Sequence, residues 1–217
     1  MTELKVEEKI LSANDRLALE NRARLDRAGV HAINLMASPG AGKTSLILRT
    51  LAATRERCTL GVIEGDLASR VDADKVQAAG APAVQINTGG GCHLDAVMLG
   101  HALDELDLEA IDLLLIENVG NLVCPTQFAL GEHRRVLVAS APEGHDKPIK
   151  YPSSFLGMDA IVLNKIDLAP YVDFDYAAFE RAVRAVNPAA PLFPLSCRTG
   201  EGVDAWVTWL LEGMKEA

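Results

Sequence analysis

Short apolar runs recur along this chain, separated by segments whose apolar residues repeat at helical spacing. The runs at 33–36, 59–63, 81–86, 111–116, 135–140, 160–163 and 191–195 read as strands. Leu46, Ile47, Leu48 and Leu51 mark a helix after the first strand, and further helices are predicted over 68–79, from Leu94 to Leu103, and over 153–156, 175–186 and 202–214. Trp206, Leu210 and Met214 share one face of the last helix, where they and Val203 and Trp209 read as core. Residues 3–28 are polar, with Val6, Ile10, Leu17, Leu19 and Leu25 interspersed. They predict one or two amphipathic helices, the second capped by Ser12 or Asn14 and ended by Gly29. Strand and helix in alternation predict an α/β fold, a mostly parallel sheet flanked by helices. We expect a helical arm at 1–29 and a single domain at 30–217.

Composition narrows the function. A formal charge of −9 over 217 residues opposes nonspecific binding to nucleic acid, which needs a positive footprint. No run of eighteen apolar residues occurs and the N-terminus lacks the order of a secretory signal, so a cytoplasmic protein without a membrane span is expected. Cys58, Cys92, Cys124 and Cys197 form no CxxC pair and read as thiols.

The chemistry starts at the first strand. It runs into Ala37-Ser38-Pro39-Gly40-Ala41-Gly42-Lys43-Thr44-Ser45 and then a helix, the context of a phosphate-binding loop. The loop from Pro39 to Ser45, through its backbone N–H groups from Gly40 onward, and the first helical turn would wrap a polyphosphate, Lys43 would reach the β and γ phosphates, and Thr44 would ligate Mg²⁺. The usual pattern opens with Gly, and Ala37 stands there instead. Asp66, closing the second strand, is a candidate Mg²⁺ ligand, because carboxylates at the C-terminal ends of parallel strands face the ligand crevice; capping the following helix is its plainer role. Asp72 lies in a polar segment that reads equally as solvated helix.

Asn164-Lys165-Ile166-Asp167 follows a buried strand, and Ser196-Cys197-Arg198 follows the last one. A carboxylate at 167 would accept from both guanine N1–H and N2–H₂, a donor pair that adenine lacks. Asn164 would orient the loop, the Lys165 stem would lie over the ring, and Ser196 and Cys197 would flank the base.

These segments resemble the P-loop GTPases of the SIMIBI class. The second switch of that class begins Asp-x-x-Gly, and Glu117-Asn118-Val119-Gly120 takes its place here. The resemblance implies Mg²⁺ near Glu117 and a γ-phosphate near the Gly120 N–H. Asn121 stands where a catalytic glutamine would follow, so hydrolysis is expected to be slow. Asp66, Asp72 or a group of a second subunit would have to orient water.

Adjacent Cys92 and His93, with the distant Cys124 before Pro125, hold donors that suit Zn²⁺ and Ni²⁺. Spacing alone does not separate that reading from core thiols and a surface imidazole. The chain resembles, over nearly its full length, the HypB family of hydrogenase-maturation GTPases, through 37–45, 64–66, 87–95, 117–125, 150–152 and 164–167. The resemblance implies a nickel site at a dimer interface made by Cys92, His93 and Cys124, with Zn²⁺ as alternative occupant. It also implies a GTP-dependent homodimer that passes nickel to or from a maturation accessory protein or the hydrogenase large subunit. Asp95 is a candidate partner for His93. Residues 1–29 hold neither Cys nor His, so the nickel-storing role of some members' N-terminal tracts is not expected of them. The urease-maturation relative carries a contiguous Cys-Pro-His, whereas Thr126 follows Pro125 here. A GTP-binding mutase chaperone and a non-hydrolysing scaffold are the remaining alternatives.

Overall fold

A computed structural model describes residues 6–67 and 71–215. Helix α1 (Val6–Ala28) leads into β1 (His31–Ala37), α2 (Lys43–Thr54), β2 (Leu60–Asp66), α3 (Val71–Ala78), β3 (Ala83–Asn87), α4 (Ala96–Asp104) and β4 (Leu113–Glu117). Then follow β5 (Arg134–Ser140), the short α5 (Lys147–Lys150) and α6 (Pro152–Leu156), β6 (Ala160–Asn164), α7 (Tyr176–Val186), β7 (Leu192–Pro194) and α8 (Val203–Gly213). The seven strands form one sheet in the order β3-β2-β4-β1-β5-β6-β7, and every pairing in it is parallel. The first residues of the helix expected over 68–79 lie outside the described residues.

Buried strands alternate which face each residue serves. In β1, Ile33, Leu35 and Ala37 join a core with Leu46 and Ile47 of α2 and Trp206 and Leu210 of α8. Ala32 faces the opposite side, with Leu25 of α1 and Leu99 and Leu103 of α4. Met36 meets Phe155 and Phe179, which come from α6 and α7. The Trp206 indole N–H donates to the Thr50 hydroxyl at 2.9 Å, fastening α8 to α2. Trp209 and Met214 lie at the margin of this core, half-buried.

The N-terminal segment departs from its expected capping. It is one continuous helix, so neither Ser12 nor Asn14 caps a second one. The Asn14 amide instead donates to Ala129 O at 2.8 Å and accepts from Ala96 N–H at 2.9 Å. Asn21, a helical residue buried at the same seam, donates to Ala96 O and Leu130 O. Cross-chain partners thus compensate for asparagine's poor helix propensity. Gly29 does end the helix, at φ +69°.

At the N-terminal edge of the sheet, His31 lies 4% exposed beside a cavity of about 100 Å³, its ring 4.8 Å from that of His133. Neither ring nitrogen is hydrogen-bonded among the described residues. Burial, then the neighbouring His133, Arg134 and Arg22, push its pKa down from 6.5 to about 4. The unfolded chain therefore takes up a proton below 6.5 that the folded chain refuses until about 4. Stability is full above that window and falls as pH drops through it. Urea unfolding should show a loss of at most about 2 kcal/mol between pH 7 and 5 from this group. A His31→Leu variant should lack that part of the pH dependence; an unchanged profile would reject the assignment.

Candidate functional site

The sheet order reverses around β1, whose neighbours are β4 and β5, and the loops leaving the C-terminal strand ends converge there. Ala37 closes β1 in extended backbone and forms an isolated antiparallel bridge with Asn121. Strand geometry is open to alanine, so the departure from glycine is absorbed. Gly42 is the constrained position. Its φ is +101°, and a Cβ there would stand 2.4 Å from the Asn164 amide nitrogen. Lys43 begins α2 and is buried, and a cavity of about 450 Å³ opens between this loop and the ends of β2 and β4.

Thr44, Asp66, Asp72 and Glu117 line that cavity, and Glu64 lies buried behind Glu117. Thr44 Oγ1 donates to Glu117 Oε1 at 3.2 Å, and Lys43 Nζ lies 3.6 Å from the same oxygen. Asp66 and Asp72 line the rim, where Asp72 is held by Lys75 at 2.8 Å. Glu64 lies directly across the β2–β4 pairing from Glu117. Burial, then the charge of Glu117, push Glu64 up to about 10. Burial also raises Glu117, with Lys43 opposing. Two carboxylates this close in an apolar surround retain a proton between them. Glu64 Oε1 and Glu117 Oε2 lack partners among the described residues. The Thr44 hydroxyl with the two carboxylates of Asp66 and Glu117 offers oxygen donors of the kind a hard divalent cation such as Mg²⁺ takes.

The second expected segment is built against the first. Asn164 donates to Ala41 O at 3.0 Å and accepts from Lys165 N–H and Cys197 N–H at 2.7 and 3.1 Å. Lys165 sits at φ +60°, and its ammonium donates to Gly40 O at 2.6 Å. Asp167 Oδ1 accepts the Ser196 hydroxyl at 2.6 Å, and Ser196 Oγ accepts Arg198 and Thr199 N–H. These residues border a second cavity, of about 320 Å³, with Ser45 at its edge. Burial pushes the Cys197 thiol up to about 11, which makes it a wall of this cavity rather than a nucleophile. Arg49 of α2 clamps the same turn by donating to Cys197 O and to Arg198 O.

Cys92, His93 and Cys124 are also brought close. Cys92 Sγ lies 3.6 Å from His93 Nδ1, and the His93 ring stacks on Phe128 at 3.9 Å. Burial lowers the His93 pKa, favouring the neutral, ligand-competent imidazole. A hydrogen bond with Cys92 is the chief reason the Cys124 thiol is raised. All four cysteines are free. Among the described residues, no three His, Cys, Asp or Glu side chains of the single chain are arranged to hold an ion. Asp95 does not orient His93 through a direct bond; its carboxylate caps α4 by accepting Met98 N–H at 2.8 Å. Lys147 and Lys150 pair with Glu143 and Asp146 on their own turn.

Sequence reasoning missed Glu64, Arg49, Phe128 and Asn118. Asn118 is 1% exposed; its Oδ1 accepts Leu94 N–H and Val119 N–H, and its amide donates to Asn34. Only strand register and loop packing single these residues out. Glu64 carries the one available signal, a carboxylate ending an apolar run.

Residues 31–194 match the family described as CobW/HypB/UreG, nucleotide-binding domain. The hydrogenase maturation factor HypB of Azotobacter vinelandii is 51% identical over 207 residues, covering 95% of this chain and 68% of that protein. The crystal structure of HypB from Helicobacter pylori in complex with nickel superposes with a TM-score of 0.90 at 38% identity, covering 94% of this chain and 96% of that one. A LAO/AO transport system kinase, at 17% identity and a TM-score of 0.59, shares the fold alone. No described helix is long and apolar enough to cross a membrane.

Proposed function

The chain belongs to the CobW/HypB/UreG nucleotide-binding family and within it to the HypB hydrogenase maturation factors, and from that premise we propose that it is a slow GTPase whose nucleotide state governs nickel transfer to hydrogenase. Guanine is read by Asp167, with Ser196 holding the carboxylate in place and Asn164 fixing the loop against Ala41. Lys43 and the backbone N–H groups from Gly40 to Ser45 bind the phosphates, with Pro39 opening the loop. Mg²⁺ would be held by the Thr44 hydroxyl with Asp66 and Glu117, and neutralises phosphate charge when bound. Asp72, on the lining of the same cavity, would orient water against the pull of its ion pair with Lys75.

One observation carries the coupling: a single loop starts at Glu117, beside Thr44, and ends at Cys124, beside Cys92. A group bound at its start therefore bears on the thiol at its end. Cys92, His93 and Cys124 take Ni²⁺, with Zn²⁺ as competitor, and a GTP-dependent homodimer supplies the ligands one chain lacks. The receiving partner is a maturation accessory protein or the hydrogenase large subunit. Linkage requires metal to alter nucleotide affinity in return.

Phosphate release from GTP should exceed release from ATP and should fall to background in Lys43→Ala. Equal rates in the variant and the parent would leave only the scaffold reading. Nickel titrated into GDP-bound and GTP-analogue-bound protein should give unequal affinities, and identical isotherms would sink the switch.

A further inference from the structure

The segment between Glu117 and Cys124 is anchored point by point, and its anchors differ in kind. Its start is bound to β1, where Asn118 N–H donates to Leu35 O at 3.0 Å. Gly120 is pressed against Pro39, so that a Cβ would meet Pro39 backbone and ring atoms at 3.1 to 3.2 Å. Asn121 pairs with Ala37, the residue from which the phosphate loop departs. The Asn121 side chain then reaches forward. Its Oδ1 accepts Val123 N–H at 2.8 Å and Cys124 N–H at 3.3 Å, and its Nδ2 lies 3.5 Å from Cys124 Sγ as donor. Beyond it, Leu122 O receives the Ser154 hydroxyl, which ties the outer side of the loop to α6.

Resting on the nucleotide-switch reading above, we infer that Asn121 is the positioning residue that transmits displacement of the phosphate loop to the Cys124 thiol, through its backbone bridge to Ala37 and its side-chain grip on the Cys124 backbone and sulfur. The bridge makes residue 121 follow Ala37. Two acceptor bonds then fix the turn from which Cys124 projects, as Asx turns do. The amide N–H on sulfur completes the grip and strengthens as the sulfur gains negative charge, the form that binds metal. Position 121, where a water-orienting glutamine is missing, thus holds a side chain committed to the metal thiol. Phosphate loop and thiol are joined by consecutive contacts that bypass the bulk of the core.

Alkylation of Cys124 by iodoacetamide, followed by peptide-resolved mass spectrometry on the full metal-free chain, reads this directly. In the parent, rates with GDP and with a non-hydrolysable GTP analogue should differ on the order of fivefold. In Asn121→Ala that ratio should collapse to about one, while binding of a fluorescent GDP shows that the fold and nucleotide site persist. Asn121→Asp keeps both backbone acceptor bonds and puts a negatively charged oxygen where the sulfur donor stood. It should retain the nucleotide-dependent ratio and lower the absolute rate. An alanine variant with the parent's ratio overturns the inference. Should alanine fail to bind nucleotide, an aspartate variant with the parent's absolute rate overturns the sulfur contact. A parent ratio of one overturns the switch reading and the relay with it, and needs no variant to be seen.

Discussion

Replacing Asp167 with Asn should shift base preference from guanine to xanthine, lowering GTP affinity by about a hundredfold or more while XTP binding improves. A carboxylate presents two acceptors to the N1–H and N2–H₂ donors of guanine. The amide of Asn turns one acceptor into a donor, which opposes N2–H₂ and suits the second carbonyl of xanthine. A buried polar group left facing the wrong partner accounts for the size of the loss. The site is prepared for this exchange, because Ser196 donates to Asp167 at 2.6 Å and is itself oriented by the N–H groups of Arg198 and Thr199. The fold should tolerate the change, since Asn164 and Lys165 make the ties to the phosphate loop. Competition between GTP and XTP for a fluorescent guanine nucleotide measures the shift. A variant that weakens both equally would show that Asp167 shapes the loop without reading the base.

Asn118→Ala should cost on the order of 3 kcal/mol of stability and abolish tight nickel binding together. The side chain is nearly inaccessible and satisfies two backbone N–H groups that alanine would leave buried without acceptors. It also donates to Asn34, whose amide bonds Glu132, so the loss propagates through a polar network under β1. The Leu94 N–H that it holds follows His93 directly. Freeing it lets the Cys92–His93 segment drift from Cys124. Urea midpoints and nickel titration on the same preparations test both parts. A stable variant that has lost nickel would confine Asn118 to the site, and one with parent stability and affinity would remove it from the account.

Much of this protein was legible along the chain because its information is local. Seven strands announced themselves as short apolar runs, and the order of strand, glycine-rich loop and helix marked the candidate phosphate loop without reference to any other segment. Asn164 to Asp167 could be placed because the motif sits at the end of a strand, where a parallel sheet opens its crevice. Asn14 was misread as a cap for the converse reason. Its side chain serves backbone groups at 96 and 129, which no local pattern reveals. Asp95 was expected to partner His93, and only the coordinates show it capping α4.

The amino-acid order by itself determined the parallel α/β framework, the glycine-rich turn from Ala37 to Ser45 and the strand exit at Asn164–Asp167, since each depends on residues within one turn or one strand end. Tertiary structure alone decided that Glu64 faces Glu117 across paired strands, that Arg49 clamps the Ser196 turn, and that Asn121 joins the phosphate loop to Cys124. Those contacts link residues brought together by sheet register and loop closure. Register is set by how whole strands bury their faces, a property no single segment contains.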